Sequence, residues 1–173
     1  MGCSPAMALA VAHPETVASL VLYWPVGGPH YRINSYARFA EHLDHVRHHG
    51  LQGVVSLVQT EGKPFNQDPR GGPWASVIRR DFRFASSYVE RDVNAYKSLV
   101  AAMRDQLFDR DTSPGADPED LFKLDVATLV VPGRDKTHAT SAARYLEECL
   151  PKAQYWDASV ADQTEAPAPA RLL

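Results

Sequence analysis

The residue types that point most directly to chemistry are a serine near the start of the chain and an aspartate far downstream. Gly2-Cys3-Ser4-Pro5-Ala6 places a nucleophile with a small residue two positions to either side. That spacing suits a serine on a strained turn between a strand and a helix, where larger flanking side chains would collide. Asp135 closes Gly133-Arg134-Asp135, directly after the apolar run Asp125 to Pro132 (DVATLVVP), and the C-terminal ends of parallel strands are where reactive groups gather. A serine activated by a base, with a carboxylate orienting that base, attacks carbonyl carbon. Each residue also has a plainer use. Ser4 suits the cap of the helix that Pro5 opens, and Gly-Arg-Asp is turn chemistry that caps a following helix. Cys3 becomes the nucleophile only if the turn shifts by one residue, which breaks the small-residue spacing.

The base is harder to find. His138 shares the loop of Asp135, and His30 follows Gly27-Gly28-Pro29. Either is a weak candidate that would need to reach Ser4 within about 3 Å. Gln163 is followed by no histidine, and glutamine is no general base near neutral pH. On a helix, His42, His45 and His49 fall on one face, but Glu41, Asp44 and Arg47 among them make a solvated face the reading, and no metal is expected. Tyr23, Trp24, Trp74, Phe82, Phe84, Tyr88 and Tyr96 either line a substrate pocket or fill cores. Arg79, Arg80 and Arg83 read as a solvated helix face.

The elements that must hold these residues follow from patterning. Pro5 to Ala12 (PAMALAVA) predicts a buried helix that His13-Pro14 closes. Val17 to Val26 (VASLVLYWPV) predicts a strand buried on both faces, and DVATLVVP predicts a second. Thr140 to Leu150 predicts an amphipathic helix with Ala143, Leu146 and Leu150 on its apolar face, and Gln154 to Trp156 a short third strand. Between the first two strands, Ser35 to His49, Gln52 to Gln59 and a stretch from about Trp74 to Leu107 read as helical. Ala166 to Leu173 reads as the start of a last helix. Strands alternating with helices predict an α/β fold with a parallel sheet, divided into residues 1–29, a helical insert over 30–120, and a C-terminal core over 121–173.

Composition narrows the classes. A net charge of −3 gives no reason to expect nucleic acid or an anionic membrane as partner. Cys3 and Cys149 are too few for a disulfide framework, so a reduced, cytoplasmic setting is expected. No apolar stretch approaches the ~20 residues that span a bilayer. Ala6 stands where the myristoylation pattern wants Ser or Thr, and no basic segment precedes MALAVA as a signal peptide would require.

Taken together, Gly2 to Gly28 resembles the nucleophile turn, following helix and next strand of the α/β-hydrolase family. ATLVVPGRDKTHATSAARYLEECLPKAQYWD resembles that family's later strand, acid-bearing turn, helix and last strand. The resemblance implies a partial α/β-hydrolase fold of about three parallel strands with a helical cap, Ser4 as nucleophile, Asp135 as acid, no cofactor, and a small ester, thioester or related carbonyl substrate. Three departures accompany it. No histidine follows the last strand, Pro5 has no N–H to offer an oxyanion, and the family's first strands would lie before Met1. The chain is therefore expected to be truncated and inactive in isolation, or else a non-catalytic binding or assembly protein. An apolar strand left without a neighbour also favours a homo-oligomer.

Overall fold

In a computed structural model, which describes residues 2–164, the two apolar runs lie side by side. Strands β1 (Ser19–Tyr23), β2 (Ala127–Val131) and β3 (Ala153–Tyr155) form a parallel sheet in the order β1-β2-β3. Leu20 pairs with Thr128 and Leu22 with Val130. The ladder continues one residue past β1, where the Trp24 N–H donates to the Val131 carbonyl at 2.9 Å. Helix α1 (Cys3–Ala12) precedes β1, and α7 (Thr140–Cys149) joins β2 to β3 as the crossover that parallel strands require. The short helix α6 (Pro118–Leu121) leads into β2, and α8 (Val160–Thr164) follows β3. Ala166 to Leu173, read above as a final helix, lies outside the described residues.

The core of this α/β unit sits on one face of the sheet. Leu22 and Val130 are fully buried there with Met7 and Ala10 of α1 and Ala143 and Leu146 of α7. The opposite face fits the sequence expectation of burial on both sides at Val131 of β2, which is fully buried, but not in β1, where Val21 is 48% and Tyr23 39% exposed. The physical reason is that α1, α6 and α7 all contribute to the same cluster around Leu20, Leu22 and Val130, so the alternate side chains of β1 are left only partly covered.

By contact density the chain divides into residues 1–32 with 110–173, and a separate unit from Ile33 to Asp109. The second unit is helical. Helix α2 (Pro29–Glu61) is bent at Gly50, whose φ of 64° and ψ of −176° leave the helical region. The predicted long helical stretch is in fact three: α3 (Ala75–Arg80), α4 (Phe82–Val89) and α5 (Val93–Leu107). Two aspartates make the breaks. The Asp81 carboxylate accepts from the N–H groups of Arg83 and Phe84 at 2.9 and 3.1 Å, and the Asp92 carboxylate accepts from Ala95 at 2.6 Å. Each is the N-cap of a new helix. Val54 and Val100 are fully buried within this unit. No described helix is long and apolar enough to cross a membrane.

Candidate functional site

Ser4 lies in the first turn of α1, which starts at Cys3 with Gly2 as its N-cap and closes through the Ala6 N–H to the Gly2 carbonyl at 3.1 Å. Ser4 is therefore neither the cap itself nor a residue on a strained turn. Among the described residues, Trp24 is the sole non-glycine with positive φ, at 51°. The helical hydrogen bond from Ala6 draws Ser4 into regular geometry. Its Oγ is nonetheless buried and has no hydrogen-bond partner among the described residues. Gly115 approaches closely, so that a Cβ built there would stand 3.6 Å from the Cα and Cβ of Ser4. The segment carrying Gly115 rests on the turn after β1, where Gly28 N–H donates to the Asp111 carbonyl at 2.8 Å. Thr112 and Ser113 on this segment also bury hydroxyls without partners among the described residues.

Asp135 follows β2 as expected, and the structure joins it to His138. The Asp135 Oδ1 accepts the N–H groups of Thr137 and His138 at 2.7 and 2.8 Å, and His138 Nδ1 approaches Oδ1 and Oδ2 at 3.0 and 2.8 Å. A ring nitrogen against a carboxylate carries the proton and donates. His138 Nε2 is thereby left as an acceptor, with no hydrogen-bond partner among the described residues. The His138 ring bond, followed by the backbone N–H groups of His138 and Thr137, holds the Asp135 carboxyl below its ordinary range. The two side chains are 52% and 25% exposed. Gly133 makes the approach possible, since a Cβ there would collide with that of His138. No hydrogen bond links Ser4 to Asp135 or His138 among the described residues.

Gln163 stands near the place where the resemblance leads one to expect a histidine. It is 95% buried by its 5% exposure, and both ends of its amide are engaged. Oε1 accepts from the Trp24 indole N–H at 2.6 Å, while Nε2 donates to the carbonyls of Pro132 and Ala158 at 3.1 and 3.0 Å. Trp24 in turn stacks on Tyr23, with centroids 5.6 Å apart, and lies 5.7 Å from the His138 ring. The left-handed backbone at Trp24 turns the indole toward Gln163. The sequence holds the residues of this cluster but no pattern that signals their convergence.

The remaining candidates separate. The Cys3 thiol donates to the Tyr23 carbonyl at 3.4 Å, and burial pushes it up, away from the nucleophilic thiolate. His30 is exposed in the first turn of α2. The histidine face is not uniformly solvated: His42 is fully buried, with Nδ1 2.9 Å from the Arg70 carbonyl and Nε2 2.7 Å from the Tyr96 hydroxyl. The His45 and His49 rings lie 4.6 Å apart, tilted by 33°. No group of three His, Cys, Asp or Glu able to hold a metal occurs among the described residues. Trp74, Phe84, Tyr88 and Tyr96 gather around one cavity in the helical unit, whereas Phe82 is 77% exposed. Comparison with protein-family models, curated proteins and solved structures gave no match.

Two outcomes follow from this geometry. Gln163→Ala orphans the Trp24 indole and two carbonyls, and is expected to destabilise by about 1–3 kcal/mol, measured by urea unfolding. Asp135 has a folded pKa below its ordinary value of 3.8. Its contribution is therefore present above that pH and lost as the pH falls through the folded value. The gap in urea midpoint between the parent protein and Asp135→Asn should accordingly be widest near neutral pH and close as the pH falls below the ordinary carboxylate range. A gap that stays constant across this range would show that the charge of Asp135 adds nothing.

Proposed function

We propose that this is an α/β-hydrolase-like chain of the serine type, addressing an ester, thioester or related carbonyl compound, and catalytically silent when isolated. The observation that carries the reading is the pairing of His138 Nδ1 with Asp135 at the C-terminal end of β2, in a sheet whose preceding strand follows the Ser4 helix. An acid bound to Nδ1 fixes the tautomer that leaves Nε2 able to accept a proton. The buried Oγ of Ser4, with no partner to receive its proton, is the reason for silence. Pro5 adds to it, because an oxyanion would lack the backbone donor that commonly follows the nucleophile, a loss of about 10²–10³ in rate.

A second reading, a non-catalytic protein that uses the same fold for binding or assembly, draws support from Gln163. Its amide fills the neighbourhood with three hydrogen bonds that a reacting base would have to give up. Assembly has its own support in the exposed Val21 and Tyr23 of β1, which forms an edge of the sheet among the described residues. Such an edge pairs readily with a second copy.

The isolated chain is expected to show no turnover of p-nitrophenyl acetate above a Ser4→Ala control. Turnover that disappears in Ser4→Ala and in His138→Ala would overturn the proposed silence. Slow modification of Ser4 by a fluorophosphonate, located by mass spectrometry, would support the nucleophile assignment. Intact protein that remains unmodified would favour the binding role. For assembly, light scattering should report concentration-dependent self-association that Val21→Lys reduces; a parent protein that stays monomeric at high concentration would remove the edge from consideration.

A further inference from the structure

The helical unit contains a second chemically distinctive place, which the serine reading does not use. His42, Tyr96 and Tyr88 form a buried hydrogen-bonded chain whose direction is set by one end. His42 Nδ1 faces the Arg70 carbonyl and must donate to it, so Nε2 accepts from the Tyr96 hydroxyl. The Tyr96 oxygen then accepts from the Tyr88 hydroxyl at 2.7 Å. This pins both phenol rings, which meet edge to face with centroids 5.3 Å apart. Trp74 lies 5.9 Å from Tyr96, and Phe84 lies 6.2 Å from Tyr88.

These four rings, with Arg91 and Leu99, line a cavity of about 70 Å³. An adjoining cleft of about 270 Å³ shares Arg91, Tyr96 and Leu99 with it. One water needs only about 10–15 Å³ on this measure, so the space admits a larger group. The charged group that lines the cavity itself is Arg91. Burial raises the Tyr88 phenol to about 12 and Tyr96 further, so both are neutral near pH 7. Arg91 is exposed on the rim, and its guanidinium makes no ion pair with a described carboxylate. Asp92 borders the adjoining cleft and caps the next helix through the Ala95 N–H at 2.6 Å, so the charge balance there is one guanidinium against one carboxylate.

We propose that the helical unit carries a binding site for a small aromatic carboxylate, with the ligand ring among Trp74, Phe84, Tyr88 and Tyr96 and its carboxylate on Arg91. The rings offer stacked and edge contacts to a planar group, and a single guanidinium matches one carboxylate by a two-pronged hydrogen bond. A dianionic phosphate would call for further cations, and none lines the cavity.

The test is a titration of the full chain with benzoate, benzyl alcohol and acetate, following the indole N–H resonance of Trp74 by NMR. Its assignment comes from its loss in Trp74→Phe. Benzoate should shift that resonance saturably, and acetate should not. Arg91→Gln, a change on the exposed rim whose retained fold is checked by circular dichroism, should weaken benzoate at least about tenfold and leave benzyl alcohol within about twofold. Ser4→Ala should leave benzoate binding unchanged, which separates this site from the fate of the serine reading. Failure of benzoate to saturate the Trp74 shift, or equal affinity of the parent protein and Arg91→Gln for it, would overturn the proposal.

Discussion

The parallel ladder between β1 and β2 joins two segments that the whole helical insert separates in sequence, and every feature at the end of the sheet depends on that pairing. It sets Tyr23 beside Val131, and the Trp24 N–H extends it by one bond before the chain turns left-handed. The turn after β1 then meets the loop after β2: Gly27 N–H donates to the Thr137 carbonyl at 3.1 Å, and Gly27 bridges to His138. Gly27 can do so because a side chain there would run into Ala142. Non-local pairing of this kind repays its loop-closure entropy only once the apolar face of the sheet is covered. Leu22, Val130, Ala143 and Leu146 supply that cover.

Polar groups at this end of the sheet fall into two kinds. Asp135 holds the backbone and ring of His138, while Gln163 holds Trp24, whose ring lies 5.7 Å from that of His138. Ser4, Thr112 and Ser113 carry buried hydroxyl oxygens with no hydrogen-bond partner among the described residues. A buried hydroxyl without a partner carries a desolvation penalty of about 1–3 kcal/mol, so the second kind is where the fold tolerates local instability.

Much of the α/β unit was legible because its signals are local and periodic. DVATLVVP and VASLVLYWPV announced β2 and β1, and Ala143, Leu146 and Leu150 marked a helix face that proves to be buried. The burial of β1 on one side alone was not legible, since an apolar run does not reveal which faces find neighbours. At the site, the turn after β2 located Asp135, but the small-residue spacing around Ser4 says nothing about whether the serine backbone is strained or helical. In the insert, Asp81 and Asp92 are good capping residues that an apolar count passes over. His42 lies among charged neighbours on a helix read as solvated, and its burial depends on the Arg70 carbonyl and Tyr96, distant in sequence and invisible to helical periodicity.

The direction of the Tyr88–Tyr96–His42 chain makes its members unequal. Tyr88 stands at the donor terminus, so its hydroxyl serves only one neighbour. Tyr96 gives to the imidazole and receives from Tyr88, and is the link through which both ends are satisfied. A phenylalanine in the outer place would leave one lone pair unfilled, whereas in the middle it would strand a donor and an acceptor together. The network thus has a keystone, and natural variation in this unit should be freer at Tyr88 than at Tyr96.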